Sequence, residues 1–142
     1  MIIKRINKKN YINFYNQFSV LKDFKVSEKI IFYEKKEIEF WVSKPKDNLL
    51  YGVFDKNKCV GFCFCKIISN HWALIDNFYI NVEYRSKNIG SKLQSYIENK
   101  LKRRNISYVS RVTRDNNISM HKFLLKNGYA QQDKYIWFDK FL

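Results

Sequence analysis

The stretch WALIDNFYINV, Trp72 to Val82, is largely apolar on both faces of an extended chain. Such a strand needs cover on each side, which places it at the centre of a sheet with helices packed on both faces. The runs beside it fit that requirement. LLYGVF and CVGFCFCKII have a period of two and flank DKNK, a turn containing Asp55 and Asn57, so they read as an antiparallel hairpin. MIIKRI reads as a first short strand, ISYVSRVT as the strand after the central one, and KYIWFDKF as the last.

Helical spacing fills the gaps. Asn10 can cap a helix from Tyr11 to Phe18, and Ser27 with Glu28 opens a second pattern through Ile30, Ile31, Ile38 and Trp41 that Pro45 ends. Ile89, Leu93, Tyr96, Ile97 and Leu101 give a third helix one buried face. Asn116 or Asn117 caps a fourth from Ile118 to Lys126, with Gly128 free to take the left-handed position after it. The class is therefore α/β, or α+β in a mixed sheet: six to seven mostly antiparallel strands flanked by about four helices.

At 142 residues with 46% hydrophobic content, the chain suits one domain with an ordinary core. The start has no continuous apolar run of signal-peptide kind, and no apolar run is long enough to cross a bilayer, so a cytoplasmic protein without a membrane partner is expected. Cys59, Cys63 and Cys65 are odd in number, and the last two alternate on one strand face, which reads as reduced structural thiols. With only two distant histidines, His71 and His121, no metal site is expected. The net charge of +14 raises the local concentration of any polyanion, although a lysine-rich, solvated surface explains most of it. The cations are spread along the chain and the aromatics lie at core spacing, which argues against a nucleic-acid-binding module.

The segment VEYRSKNIGSKL joins the central strand to the third helix. The first turn of a helix has amides without internal partners and a dipole that favours negative charge, so this junction is an anion site in outline. Gly90 permits close approach, and Arg85, Lys87 and Lys92 add positive charge, with Arg85 able to offer a two-pronged fork to a phosphate. The same pattern also occurs as a plain solvated connection.

IDNFYINVEYRSKNIGSKL resembles the strand, loop and helix motif of the GNAT superfamily of N-acetyltransferases, Arg/Gln-x-x-Gly-x-Gly/Ala, met here by Arg85, Asn88, Gly90 and Ser91. Asn88 stands where the family usually has glycine, and asparagine tolerates unusual backbone angles better than most residues. DNNISMHKFLLKNGY resembles the family's later helix motif, with Asn117, Phe123, Gly128 and Tyr129 in register. The resemblance covers the whole chain, residues 1–142, as a single N-acetyltransferase domain. It implies acetyl-CoA as cofactor. Amides of Ser86, Lys87, Asn88, Ile89, Gly90 and Ser91 would face the pyrophosphate, backbone of Phe78, Tyr79 and Ile80 would pair with the pantetheine arm, and Asn117, also readable as a plain helix cap, would reach that arm from the other side.

The resemblance further implies transfer of acetyl to a primary amine of a small molecule or protein by direct attack. An amine with a pKa of about 10.4 is mostly protonated at neutral pH, so a base is needed. Asp76 is the favoured candidate, because some relatives, polyamine acetyltransferases among them, place an acidic residue there. An ion pair with a nearby cation is the other reading of Asp76, and Asn77 could face the pocket instead if a bulge upsets the alternation. Leu124 falls where the family usually has a tyrosine acid. Water or His121 could substitute, although a capping role for His121 suits that position. The acceptor would meet the first two helices, with the aromatic positions from Tyr11 to Trp41 and the acidic run of Glu28, Glu34, Glu37 and Glu39 as candidates. A monomer or homodimer is expected. A CoA-binding regulatory protein with little catalysis is the alternative that Leu124 keeps open.

Overall fold

The computed structural model describes residues 1–21, 34–140 and 142. They divide into two compact units, Met1–Arg111 and Val112–Leu142.

The first unit holds one sheet in the order β1 (Ile2–Arg5), β2 (Asn48–Asp55), β3 (Lys58–Ile67), β4 (Trp72–Ile80), β5 (Tyr108–Arg111). The first three junctions are antiparallel and the β4–β5 junction is parallel. A parallel junction needs a crossover, here α3 (Ile89–Lys102), reached from β4 through a 3-10 turn at Val82–Tyr84. α1 (Tyr11–Phe18) and α2 (Lys35–Ser43) complete the unit.

Both faces of the sheet are covered, as the apolar pattern of the central strand requires. On one, Leu49, Val53, Cys63, Cys65, Ala73 and Ile75 pack with Ile89, Leu93, Ile97 and Leu101 of α3. On the other, Leu50, Phe62 and Phe64 pack with Phe14 and Phe18 of α1 and Ile38 and Trp41 of α2. Phe14 meets Phe62 edge-on at 4.8 Å, and Trp41 stacks on Phe64 at 3.7 Å. Burying each such ring contributes roughly 1.5–3 kcal/mol.

Several expectations change in detail. The sheet has five strands among the described residues, not six to seven. KYIWFDKF joins no ladder there, and Tyr135, Trp137 and Phe138 are exposed, so period-two patterning has no partner strand to act on. The start of the second helical pattern, Ser27 through Ile31, lies outside the described residues; α2 opens instead on a capping box between Glu34 and Glu37. Asn10 precedes α1 but makes no side-chain cap, because its Oδ1 already accepts from the Asn7 amide at 2.7 Å. In the hairpin turn the positive φ, 54°, falls on Lys56.

The second unit contains α4 (Ile118–Lys126). Asn117 Oδ1 accepts from the Met120 amide at 3.2 Å and so caps it. Gly128 ends it with φ +85°, an angle that glycine takes without cost.

Candidate active site

The site is built at the C-terminal end of β4. Opposite Phe64 and Cys65 of β3 the register slips, with Phe64 paired to Asn77 and Cys65 to Ile75, so Asp76 is the extra residue of a bulge. The β4–β5 ladder ends at the same level, at the pair Ile75 and Arg111, while β4 runs on to Ile80. Beyond the bulge, Phe78 packs toward α3 and Tyr79 toward α1 and α2. The alternation of faces is thus interrupted at Asp76, a displacement that a period of two cannot reveal.

The Asp76 carboxylate is paired. Its Oδ2 lies 2.7 Å from Lys66 Nζ, and both side chains are partly exposed. Lys66 in turn sits 5.4 Å from the centre of the Phe64 ring, on the side covered by α1 and α2. Asn77, opposite Phe64, is half-buried.

The junction with α3 is bent by two residues in the left-handed region, Ser86 at φ 59° and Asn88 at φ 61°. The Asn88 side chain makes no cap, its carbonyl accepts from the Lys92 amide at 3.1 Å, and the first turn of α3 has no acidic residue. Among the described residues, no backbone or side-chain group accepts from the amides of residues 86–88. The next three amides, in the first helical turn, have no intrahelical partner by geometry. The result is a run of main-chain donors with the positive end of the helix dipole behind them.

Arg85 turns back. Its Nε donates to the Ile80 carbonyl at 2.8 Å and its guanidinium lies 5.6 Å from the Tyr79 ring centre, so it ties the loop to the end of β4. Lys87 Nζ donates to the Glu83 carbonyl at 2.8 Å.

Some features escaped sequence reasoning. Gln94 of α3 is 1% exposed among Leu93, Ile97 and Leu101. Its Oε1 accepts from Arg111 Nη1 at 2.9 Å and its Nε2 donates to Glu98 at 2.7 Å. Arg111 lies 4.6 Å above the Phe78 ring, so this network fixes the end of β5 against α3 and β4. A polar residue directly after Leu93, on the edge of the apolar stripe, was the available signal. The three thiols are free and buried. Burial, the largest cause, raises Cys59 to about 11 and Cys65 to about 12, and pushes Cys63 higher still.

In the second unit, His121 Nε2 donates to the Arg114 carbonyl at 2.9 Å, and Leu124 is half-buried. No helix among the described residues is long and apolar enough to cross a membrane.

The fold is shared with solved structures at low identity. The chain is similar to an aminoglycoside acetyltransferase, meta-AAC0020, from an uncultured soil metagenomic sample (TM-score 0.81, 12% identity, 99% of this chain and 95% of that one). It is similar to the aminoglycoside N-acetyltransferase AAC(6')-Iy in complex with CoA (TM-score 0.75, 10% identity, 99% and 100% covered). A transcriptional regulator from Bacillus halodurans C-125 matches comparably (TM-score 0.78, 15% identity, 98% and 99% covered). No curated protein sequence matches. The acetyltransferase (GNAT) family profile matches residues 13–129, from α1 through the end of α4, and the chain belongs to that family.

Proposed function

We propose that the chain is an N-acetyltransferase that draws acetyl from acetyl-CoA and passes it to a primary amine of a small molecule or protein. The donor run over Ser86, Lys87, Asn88, Ile89, Gly90 and Ser91 carries this reading. Amides that no described group accepts from, at the positive end of α3 and with no acidic residue in the first turn, suit a diphosphate. Bound there, acetyl-CoA would supply an activated thioester.

The remaining roles belong to this chain. Backbone of Phe78, Tyr79 and Ile80, past the last β4–β5 pair, would hold the pantetheine arm in the manner of an added strand. Asn117, whose side chain caps α4, would contribute from its own helix. Asp76, projected by the bulge, would take the proton of the attacking amine directly or through water, exchanging its contact with Lys66 for one with the acceptor. Asn77 is the other candidate for that position. Leu124 cannot donate a proton, and His121 Nε2 is engaged with a carbonyl, which favours water as the acid. A thiol resembling cysteine, with a pKa of about 8.5, leaves acceptably without strong acid assistance.

Leu124 also supports a second reading, a protein that binds CoA and regulates without rapid turnover. One pair of measurements decides. The enzyme shows a rise in unfolding temperature with acetyl-CoA and amine-dependent release of free thiol across an amine panel. The regulator shows the first alone. Absence of both overturns the proposal.

A further inference from the structure

The loop before α3 holds two non-glycine residues at positive φ, Ser86 and Asn88, which is an unfavourable backbone arrangement unless something outside the loop fixes it. The β2–β3 hairpin turn supplies such a grip. Tyr84, the last residue of the 3-10 turn and the one directly before Arg85, donates its hydroxyl to Asp55 Oδ2 at 3.0 Å. Asp55 ends β2 at that hairpin turn. Next to it, Lys58 Nζ reaches Glu83 Oε1 at 3.5 Å. The main chain adds a third tie, because the Asn81 amide donates to the Val60 carbonyl at 2.8 Å and the Tyr84 amide to the Asn81 carbonyl at 2.9 Å.

These ties differ in weight. Lys58 and Glu83 are each more than half exposed, and an ion pair of that kind contributes little. The Tyr84–Asp55 hydrogen bond is charge-assisted, and the Tyr84 ring packs against the core cluster under α3. The tyrosine hydroxyl is correspondingly raised above its ordinary value, first by that hydrogen bond and then by burial.

We infer that Asp55, acting through Tyr84, is a positioning residue that holds the loop's main-chain donors in their anion-binding arrangement. It rests on the reading of residues 86–91 as a diphosphate cradle. Asp55 itself would touch no ligand, and its carboxylate is the wrong charge to attract one. Electrostatics alone therefore predicts that removing it tightens CoA binding, whereas loss of a brace predicts the opposite sign.

Calorimetric titration of the 142-residue chain with CoA tests this, with urea unfolding of the apo proteins alongside. Asp55→Ala and Tyr84→Phe are expected to weaken binding at least about 10-fold each, the lower end of what one charge-assisted hydrogen bond contributes. The double variant is expected to lose no more than either single. Asp55→Asn, whose side-chain oxygen still accepts from Tyr84, is expected to bind within about 2-fold of wild type. Tighter or unchanged binding by Asp55→Ala, or failure of Asp55→Asn to recover affinity, overturns the brace. Absence of CoA binding by the wild-type chain overturns the cradle reading and the brace with it. Tyr84→Phe guards against misfolding, since it removes one oxygen and keeps the packed ring.

Discussion

Lys66 and Asp76 approach to 2.7 Å across the β3–β4 bulge, the one place where the central antiparallel pairing slips between these strands. The register that makes Asp76 the extra residue also brings its carboxylate to an ammonium. A candidate base is thus held in place by a partner that an incoming amine would have to displace.

Asp76→Asn is expected to lower kcat by about 10²- to 10⁴-fold, the usual range for loss of a positioned base, while CoA affinity stays at the wild-type value. Steady-state rates with the best amine, set beside a CoA titration, check both halves. Full activity in Asp76→Asn together with loss in Asn77→Ala would make Asn77 the group that faces the pocket, with water taking the proton.

Gly61 of β3 lies opposite Ile80. A Cβ there would stand 2.5 Å from Ile80 Cδ1 and 2.6 Å from the Tyr79 carbonyl oxygen, a backbone atom that cannot swing aside. Gly61→Ala is expected to destabilise the fold by about 1–3 kcal/mol, as overpacking does, and to weaken CoA binding by shifting the end of β4. Denaturant unfolding with and without CoA measures the two effects.

The Gln94 side chain bridges Arg111 and Glu98 from a position that is 1% exposed. Gln94→Leu keeps the volume and removes one partner from each charged group. A loss of about 1–3 kcal/mol in urea unfolding is expected, and a neutral result would mean that packing alone sustains this part of α3.

The buried thiols predict a pH dependence. Cys59 rises from an ordinary 9.0 to about 11, first through burial, so between those values the unfolded chain gives up this proton while the folded chain keeps it. Its contribution to stability is complete below pH 9.0 and is lost as pH climbs through about 11. Cys65, raised to about 12, extends the same trend. Thiol labelling of the native protein at pH 8 is expected to be negligible, and Cys59→Ala is expected to flatten the fall in stability above pH 9.

Local rules carried the sequence reading furthest. Ile89, Leu93, Ile97 and Leu101 are buried at the predicted spacing, Asn117 caps α4, and Gly128 takes the left-handed angle, because helix faces and helix ends depend on residues within one or two turns. Features set by pairing at a distance were not legible. A cation beside Asp76 is one of the readings that the sequence offers, but its identity as Lys66 depends on a slipped register, and the burial of Gln94 depends on Arg111 from another element. The sequence offers Arg85 as a fork for phosphate; that its Nε meets the Ile80 carbonyl follows from the 3-10 turn, which a local pattern does not reveal. The pattern of the last segment predicts a strand, yet a ladder needs a neighbour, which alternation does not supply.

The parallel junction also has a kinetic consequence. β2, β3 and β4 form a meander, but β1 can join β2 only across the interval that holds α1 and α2, and β5 can join β4 only across α3, Ile89–Lys102. Long-range closure of this kind is entropically slow, so both edge strands should dock late in refolding and be among the first to exchange their amides with solvent. The mouth of the site would then be assembled after most of the structure beneath it.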